Sequence, residues 1–324
     1  MRILITGGIG FVGGRLAQWL SQSGRHEVCI VTRSSVAGPV PWLPQVEVRR
    51  INWNSADELR NLCEGFDIVA HLAGVNAPDS AADPVMAYEF NVVSTARLVQ
   101  AAIQAGVRRM LYLSTAHVYG SPLQGEISER LCPIPVHPYA ISHRAAEDIV
   151  RAAHAAGKLE GIAVRVSNAF GAPTHAAVNC WMLLVNDLCR QAVLNRQLVL
   201  NSSGQQFRDF VPMQFTCAAL AHLLEVPVAA LGDGLFNLGG NWSVRVLDVA
   251  ERIATLAENV LGCKLELQRR PDETDPTPAS LHYNSARLYA SGFSMDSQAC
   301  INVEILQLLE FCKLHHSDLQ RNRI

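Results

Sequence analysis

A phenol and an imidazole lie four residues apart in the stretch HPYAISHRAA, residues 137–146, as Tyr139 and His143. A spacing of four places two side chains on one face of a helix, so the pair could act on one ligand. A phenol can give or take a proton, and an imidazole can hold a hydrogen bond beside it. An isolated pair of this kind is more often an aromatic core contact beside a surface histidine, so the rest of the chain decides.

The length and composition of the chain limit the number of domains, the partners and the cellular location that we expect for this protein. Its 324 residues suit one large α/β domain or two unequal lobes. Charged residues make up 17%, the net charge is −2 and basic residues are scattered, so we expect no nucleic acid and no membrane as partner. The nine cysteines are dispersed without zinc spacing, which predicts reduced thiols and no metal. The opening residues lack the pattern of a secretory signal, and we expect a cytoplasmic protein.

Short apolar runs alternate with amphipathic stretches through the first 170 residues. The runs typical of strands lie at 2–6, 27–32, 46–51, 67–73, 109–114 and 161–166, and the helical patterns at 11–23, 84–105 and 139–156. This alternation predicts βαβ units and an α/β fold with a Rossmann-type, doubly wound parallel sheet.

The alternation loosens after about residue 170. Three segments are rich in loop-forming residues, 168–179, 201–209 and 269–280, and helical patterns lie at 178–194 and 246–261. We therefore expect the second half to form a smaller C-terminal lobe that covers the open edge of the sheet.

The stretch TGGIGFVGG, residues 6–14, has glycines at the spacing of a dinucleotide site. It follows the first strand and opens a helix, which allows a tight turn, a close backbone approach and a helix N-terminus with free N–H groups for a pyrophosphate. A purely structural turn is the alternative. The predicted contacts are Gly7, Gly10, Phe11, Val12 and Gly13.

The end of the second strand bears on the choice of cofactor. Thr32 stands where a carboxylate would bind the 2′-hydroxyl of NAD, and Arg33 follows it. A guanidinium at this place favours the 2′-phosphate of NADP, and a solvated loop arginine is the alternative. NADP(H) is therefore favoured, with NAD(H) as the second choice.

Several short motifs in a fixed order characterise the chain. They are TGGIGFVGG (6–14), DIVAHLAG (67–74), Asn91, YLSTAHVYG (112–120), PYAISH (138–143), VRVSNAFG (164–171), FRDFV (207–211) and FNLGG (236–240). In this order they resemble the extended short-chain dehydrogenase/reductase family of NAD(P)-dependent nucleotide-sugar epimerases, dehydratases and reductases. The resemblance runs nearly from end to end.

The resemblance implies an NAD(P)-binding Rossmann domain in residues 1–170, with further sheet elements from later segments, and mainly a substrate-binding lobe in residues 171–324. It adds Leu72, Ala73, Gly74 and Asn91 to the residues expected at the cofactor. It also implies a homodimer, formed through the helices at 84–105 and 139–156.

In this family a tyrosine and a lysine four residues later act with a serine or threonine at the end of the fifth strand. By position, Tyr139 exchanges a proton with the sugar oxygen and Thr115 hydrogen-bonds that oxygen, with Ser114 just before it. The lysine is missing, and His143 occupies its place among the catalytic and cofactor-binding residues.

The histidine favours one direction of reaction. Near its ordinary pKa of about 6.5 it is mostly neutral and supplies little charge to stabilise a tyrosinate base. Carbonyl reduction needs the neutral phenol instead, because the tyrosine then gives its proton away. With Arg33, this predicts NADPH-dependent reduction of a keto group on a nucleotide-linked sugar, in surface polysaccharide or glycosylated-metabolite synthesis.

Two alternatives stay open: an epimerase that retains its NAD(P), and a catalytically degenerate NADP-binding sensor or scaffold. A dehydratase is disfavoured, because family members that remove water carry an acidic pair where this chain has Ala116 and His117.

The resemblance also implies residues for a nucleotide-diphosphate sugar. Arg208 and Arg270 match positions that bind the diphosphate, and Asn168 matches a residue beside it. Paired guanidiniums suit a diphosphate because each offers several donors in a planar fork. His117, two residues past Thr115, is a further candidate for substrate contact.

Overall fold

A computed structural model describes residues 1–33, 40–270 and 279–321. Its strands come from short segments rich in β-branched and other apolar residues. In chain order they are β1 (Arg2–Thr6), β2 (Glu27–Thr32), β3 (Glu47–Arg50), β4 (Ile68–His71), β5 (Arg109–Thr115), β6 (Gly125–Ile127), β7 (Glu160–Val166), β8 (Asn168–Phe170), β9 (Gln197–Leu200), β10 (Phe207–Pro212), β11 (Leu235–Leu238), β12 (Ser243–Arg245), β13 (Glu266–Arg269) and β14 (Leu281–Tyr283).

The largest sheet is parallel and has seven strands in the order β11-β7-β5-β4-β1-β2-β3. Its central strands are covered on both faces, as parallel sheets require. On β1, for example, Ile3, Leu4 and Ile5 are all fully buried. The predicted Rossmann-type, doubly wound sheet is confirmed.

The helices form mostly on amphipathic segments. In chain order they are α1 (Phe11–Gln22), α2 (Ala56–Cys63), α3 (Ala77–Ala82), α4 (Pro84–Tyr88), α5 (Ser94–Gln104), α6 (Pro138–Ala155), α7 (Leu184–Asn195), α8 (Met213–Glu225), α9 (Val246–Leu261), α10 (Ala286–Ala290), α11 (Gln298–Leu314) and α12 (His316–Arg321). None of the helices in these described ranges is long and apolar enough to cross a membrane.

Helices cover the two faces of the large sheet, and alternate residues of a strand serve opposite faces. Ile3 and Ile5 of β1 pack with Leu16 of α1 and Leu220 of α8 on one face. Leu4 belongs to the other cluster, which α2, α5 and α6 complete. Each fully buried leucine or isoleucine contributes about 1.5–3 kcal/mol of hydrophobic free energy.

A separate apolar cluster holds the C-terminal helices together. Leu188 of α7, Ile253 of α9 and Ile305 of α11 are fully buried in it. Beside these helices lie small sheets of strands β12-β10-β8 and β13-β9. Strand β11 comes after α7 and α8 in the chain, yet it joins the large sheet as the neighbour of β7.

Two parts of the C-terminal prediction were wrong. The helix expected at 178–194 begins only at Leu184, because residues 178–183 form successive turns that end with Leu183 N donating to Cys180 O. The segments expected as loops at 168–179 and 201–209 contain β8 and the start of β10. The start of β10 pairs antiparallel with β12, and its end pairs in parallel with β8. Most of 269–280 lies outside the described residues.

The helix expected at 84–105 is interrupted by a π-helical turn at Glu89–Val93. This turn separates α4 from α5. A π-turn contains one residue more than an α-helical turn, which changes the direction of the side chains within it. Asn91 lies inside this turn and is buried.

Candidate active site

Two positions of the glycine turn after β1 have no room for a side chain. Gly7 has φ +71°, and a Cβ on it would lie 2.8 Å from the carbonyl of Leu72. A Cβ on Gly13 would lie 2.1 Å from the carbonyl oxygen of Gly7. Helix α1 then starts after Gly10 with no side-chain cap and no acidic residue in its first turn, so its N–H groups stay free for an anion. This cradle fits the pyrophosphate of a dinucleotide.

The segment after β4 is fixed beside the glycine turn by a buried histidine. His71 Nδ1 lies 2.6 Å from the hydroxyl of Thr6, and Nε2 lies 2.9 Å from the hydroxyl of Thr95. The Thr6 hydroxyl also accepts a hydrogen bond from Ala73 N at 3.2 Å. Burial lowers the pKa of His71 to about 3, so the ring is neutral and joins β1, β4 and α5. These contacts give His71 a structural role.

Asn91 connects the same segment to α6. Its Oδ1 accepts from Val75 N at 2.9 Å, and its Nδ2 donates to the hydroxyl of Ser142 at 2.9 Å. The Ser142 hydroxyl in turn donates to the carbonyl of Tyr139. Asn91 therefore sets the distance between the β4 end of the site and the first turn of α6.

Arg33 follows β2 and is exposed at the end of the strand, with its guanidinium carbon 5.0 Å above the centre of the Phe90 ring. A guanidinium is attracted to an aromatic face and is more ordered there than in free solvent. Phe90 is held by an edge contact with Trp53 at 5.4 Å. Thr32, the last residue of β2, is buried.

Tyr139 and His143 lie on one face of α6, as their spacing predicted. The helix begins at Pro138, and Nδ1 of His137 accepts from Tyr139 N at 3.2 Å. The Tyr139 and His143 rings are 4.4 Å apart in an edge-on arrangement. The hydroxyl of Tyr112, on β5, lies 2.7 Å from Nδ1 of His143. His143 is thus held between two tyrosines.

Both groups of the pair are neutral at neutral pH. Burial lowers the pKa of His143 to about 4, and the nearby His117 acts in the same direction. Tyr139 is half-buried by its accessible surface, yet surrounding protein raises its pKa above the usual 10.0, while a hydrogen bond with Thr115 acts in the opposite direction. A neutral phenol beside a neutral imidazole can donate a proton more readily than it can accept one.

Thr115 and Ser114 have different partners at the end of β5. Thr115 contacts Tyr139 and also accepts from His117 N at 3.2 Å. The Ser114 hydroxyl donates to Glu147 Oε1 at 2.5 Å, in the layer between the sheet and α6. Thr115 and Ser114 are adjacent in the sequence, but their hydroxyls contact different residues, Tyr139 and Glu147 respectively.

Three residues that support the site were not predicted: Tyr112, Glu147 and Arg165. Glu147 lies eight residues after Tyr139 and continues the four-residue spacing along α6, so this signal could have identified it. Tyr112 and Arg165 are on strands, and only the strand register, which pairs Ser114 with Arg165, brings them under the site.

Arg208 lies on β10 and its side chain is exposed. The neighbouring Asp209 is buried and accepts from Gly240 N at 2.9 Å and Trp242 N at 3.1 Å, which fixes the strand. Asn168 Nδ2 donates to the carbonyl of Asp209 at 2.8 Å. Asn168 and Arg208 are therefore held on adjacent strands.

His117 is exposed in the turn after β5, but protein lies close enough around it to lower its pKa. Besides burial, the nearby Arg208 and His137 lower the pKa of His117, so three basic side chains lie near one another beyond the end of β5. Arg270 follows β13, and its backbone N–H donates to the carbonyl of Leu200, the last residue of β9.

In the described parts of the chain, no group of three or more histidine, cysteine, aspartate or glutamate side chains could hold a metal ion. All nine cysteines are free thiols, and seven of them are buried.

Comparison with known sequences gives matches along most of the chain. A model of the NAD dependent epimerase/dehydratase family matches residues 3–239. A UDP-glucose 4-epimerase from Azospirillum brasilense is 30% identical over 275 residues, which cover 79% of this chain and 77% of that protein. A dTDP-glucose 4,6-dehydratase from Haemophilus influenzae is 28% identical over 287 residues and is matched over 82% of each chain.

Solved structures match over nearly the whole chain. TunA, an NAD dependent NDP-hexosamine 5,6-dehydratase involved in tunicamycin biosynthesis, has a TM-score of 0.78 at 25% identity, covering 98% of this chain and 99% of that chain. RMD from Pseudomonas aeruginosa, solved with NADPH, has a TM-score of 0.75 at 23% identity, covering 97% and 99%. The second likeness concerns the fold alone.

Proposed function

Because the chain belongs to the NAD-dependent epimerase/dehydratase family, within the extended short-chain dehydrogenase/reductases, we propose that it reduces a keto group on a nucleotide-linked sugar with NADPH. The observation that carries this proposal is the neutral pair formed by Tyr139 and His143. The family resemblance implies that most relatives have a lysine at position 143, where it supplies a fixed positive charge. This chain has no such charge on that side of the phenol.

The residues of the glycine turn hold the pyrophosphate at the N-terminus of α1, and Leu72, Ala73, Gly74 and Asn91 line the next part of the cofactor site. The chemistry that NADPH supplies when bound is transfer of a hydride to the keto carbon. Arg33 binds the 2′-phosphate. Its exposed guanidinium above Phe90 and the absence of an acid at Thr32 support this assignment.

Tyr139 donates its proton to the sugar oxygen as that oxygen becomes an alcohol. The raised pKa of Tyr139 supports this role, since the phenol begins each cycle protonated. Thr115 orients the oxygen by a hydrogen bond. His143 keeps one hydrogen bond on the cofactor side and supplies no charge, while Ser114 acts through Glu147 to hold the end of β5.

The substrate is a nucleotide-diphosphate sugar, in this proposal. Arg208 and Arg270 bind the diphosphate, with Asn168 beside it, and His117 contacts the sugar. Two observations support a place for Arg208 in the same site as His117. Asp209 anchors β10, the strand that contains Arg208, and Arg208 lies near His117. Residues 1–170 then form mainly the cofactor domain and residues 171–324 mainly the substrate lobe.

We also propose a homodimer formed by the helical segments 84–105 and 139–156. Val85, Val93 and Ile141 support this, because they are large apolar side chains that are 67%, 43% and 39% exposed on these segments. A cytoplasmic location fits the nine free thiols, which persist in reducing compartments. A clean monomer mass by light scattering at micromolar concentration would contradict the dimer.

Two other functions remain as alternatives. The first is an epimerase that retains its NAD(P), and the match to a UDP-glucose 4-epimerase favours it. The second is an NADP-binding sensor or scaffold without turnover, which the missing lysine favours. Retention of Tyr139 and Thr115 in contact argues against this second alternative, since a scaffold has no need of the phenol.

The first test is calorimetric titration of the nucleotide-free protein with NADPH and with NADH, followed by assays of NADPH consumption with nucleotide-linked keto-sugars. We expect NADPH to bind more tightly and to be consumed. Tyr139→Phe keeps the ring contact with His143, and we expect it to lower turnover about 10²- to 10⁴-fold. Tightly retained NAD would support the epimerase, and binding without turnover would support the scaffold.

A further inference from the structure

The histidine at the place of the lysine has a partner of its own. The geometry points to Tyr112 as a positioning residue that sets the tautomer and orientation of His143, and this inference rests on the proposed role of His143 beside the cofactor. Tyr112 lies on β5, under α6, and is 1% exposed. Its hydroxyl is 2.7 Å from Nδ1 of His143, the ideal distance for a hydrogen bond.

The direction of this hydrogen bond follows from the proton count. A phenol has one proton to donate, and in the described parts of the chain the Tyr112 hydroxyl bonds only to His143 Nδ1. Burial raises the pKa of Tyr112 well above 10.0, with Glu147 acting in the same direction, so the phenol keeps its proton. Tyr112 therefore donates, Nδ1 accepts, and the single proton of the neutral His143 ring is on Nε2.

The Nε2 edge of His143 points toward the predicted cofactor segment. A Cβ added to Gly74, the exposed residue at the end of the β4 segment, would lie 3.5 Å from Cε1 and 3.6 Å from Nε2 of His143. No hydrogen bond joins Nε2 to the described residues. An N–H group at this edge is thus a free donor for a hydroxyl of the proposed cofactor.

Ring contacts keep the imidazole from turning over. Tyr139 packs edge-on against one side of it at 4.4 Å, and Tyr112 lies at 5.7 Å on another side. The His71 ring also contacts the Tyr112 ring, with their centres 5.5 Å apart, so the phenol itself is packed among rings. A phenylalanine at position 112 would keep these ring contacts and remove only the hydroxyl.

The test is Tyr112→Phe, read first by long-range ¹H–¹⁵N spectra of the cofactor-free protein labelled in its histidines. His143→Gln identifies the His143 signals by their loss. We expect the Nε2–H tautomer in the wild type and a new or mixed population of the Nδ1–H tautomer in Tyr112→Phe. An Nδ1–H tautomer in the wild type, or an unchanged one in the variant, would overturn the inference.

The second readout is cofactor affinity. One lost neutral hydrogen bond corresponds to about a two- to tenfold change, so we expect Tyr112→Phe to raise the Kd for NADPH by that factor and to raise KM for NADPH more than it lowers kcat. Tyr119→Phe is the matched control, since Tyr119 is a buried tyrosine whose hydroxyl donates to Asn237 at 2.8 Å. It should lose stability but keep the His143 tautomer and the Kd.

The two readouts separate this inference from the proposed function. The spectra need neither cofactor nor substrate, so a protein that reduces no keto-sugar still reports the tautomer of His143. A changed tautomer with an unchanged Kd in Tyr112→Phe would refute the positioning role in cofactor binding. A changed tautomer together with a raised Kd would support it, whichever sugar reaction the enzyme performs.

Discussion

Glu147 and Arg165 form an ion pair beneath the candidate active site. Oε2 of Glu147 is 2.7 Å from Nη2 of Arg165, and the two side chains are 0% and 1% exposed. The Ser114 hydroxyl donates to the same carboxylate, and the Arg165 guanidinium lies 4.6 Å from the centre of the Tyr119 ring. Strand β5, strand β7 and helix α6 are joined at this point by charge as well as by apolar packing.

Neutralising one partner of this pair should be costly. Glu147→Gln leaves the Arg165 charge buried without its counter-ion, and we expect a loss of about 3–5 kcal/mol in the free energy of unfolding. Urea denaturation measures this directly. Asp148→Asn is the control, because Asp148 is the next residue on α6 and its side chain is 53% exposed. Equal losses in the two variants would contradict a buried ion pair of this importance.

Removing the hydroxyl of Thr115 should affect catalysis, whereas removing that of Ser114 should affect stability. We expect Thr115→Val to lower kcat about 10²- to 10³-fold, as for the loss of one donor to a reacting oxygen, with little change in stability. Ser114→Ala should instead lower the free energy of unfolding by about 1 kcal/mol, because Glu147 loses one hydrogen bond. Steady-state kinetics and denaturation of both variants test this, and a reversed pattern would exchange the two roles.

His143→Lys tests the argument on the direction of reaction. A lysine near Tyr139 adds positive charge, and each unit by which it lowers the phenol's pKa requires about 1.4 kcal/mol of differential stabilisation. Because oxidation needs the tyrosinate, we expect the oxidation rate at pH 7 to rise relative to the reduction rate. Both rates are measured with the same sugar pair. Equal changes in the two directions would refute the argument from protonation state.

Arg33→Ala tests the choice of cofactor. Loss of charged hydrogen bonds to a 2′-phosphate is worth about 1.5–3 kcal/mol, so the preference for NADPH over NADH should fall about 10- to 100-fold. The ratio of the two dissociation constants measures this preference. Arg60→Ala removes an arginine on α2 whose partner is Asp57, and it should leave the ratio unchanged. An unchanged ratio in Arg33→Ala would contradict the proposal that Arg33 binds the 2′-phosphate.

Acid should destabilise the protein through its buried histidines. The pKa values of His71 and His143 are lowered by burial from 6.5 to about 3 and about 4. The unfolded chain therefore binds protons first, and stability falls as the pH drops below about 6.5, by about 2 kcal/mol per histidine between pH 7 and pH 5.

Denaturation curves at these two pH values measure the effect. His143→Gln removes one of the two histidines and should reduce the loss by about 2 kcal/mol. His316→Gln, on α12, is the control and should lose as much stability as the wild type. A loss in His143→Gln that matches the wild type would mean that His143 is protonated in the folded protein.

Local patterns predicted much of the fold and part of the site. The alternation of apolar runs located six of the seven strands of the large sheet and missed β11. The steric demands of Gly7 and Gly13 are visible in the spacing of the glycines. The face shared by Tyr139 and His143 followed from helical periodicity alone. These features depend on neighbours in the sequence, which is why the sequence contains them.

Features that depend on distant pairing were missed. Strand β8 and the start of β10 lie in segments rich in glycine, asparagine and serine, where no local pattern indicates a strand. β8 pairs with the end of β10, and the start of β10 pairs with β12. The contact of Tyr112 with His143 spans 31 residues and that of Ser114 with Glu147 spans 33. Such contacts need the strand register and the docking of α6 on the sheet, which no local pattern specifies.

Because of the π-turn at Glu89–Val93, the position of Asn91 depends on the number of residues in this helical segment as well as on their identities. Asn91 reaches Val75 and Ser142 from inside that turn. Deleting one residue there would restore ordinary helical winding and rotate Asn91 by about 100° relative to α5. A homologue could therefore keep the asparagine and still lose this bridge, so evolutionary comparisons of the site should score insertions and deletions in this helix alongside substitutions.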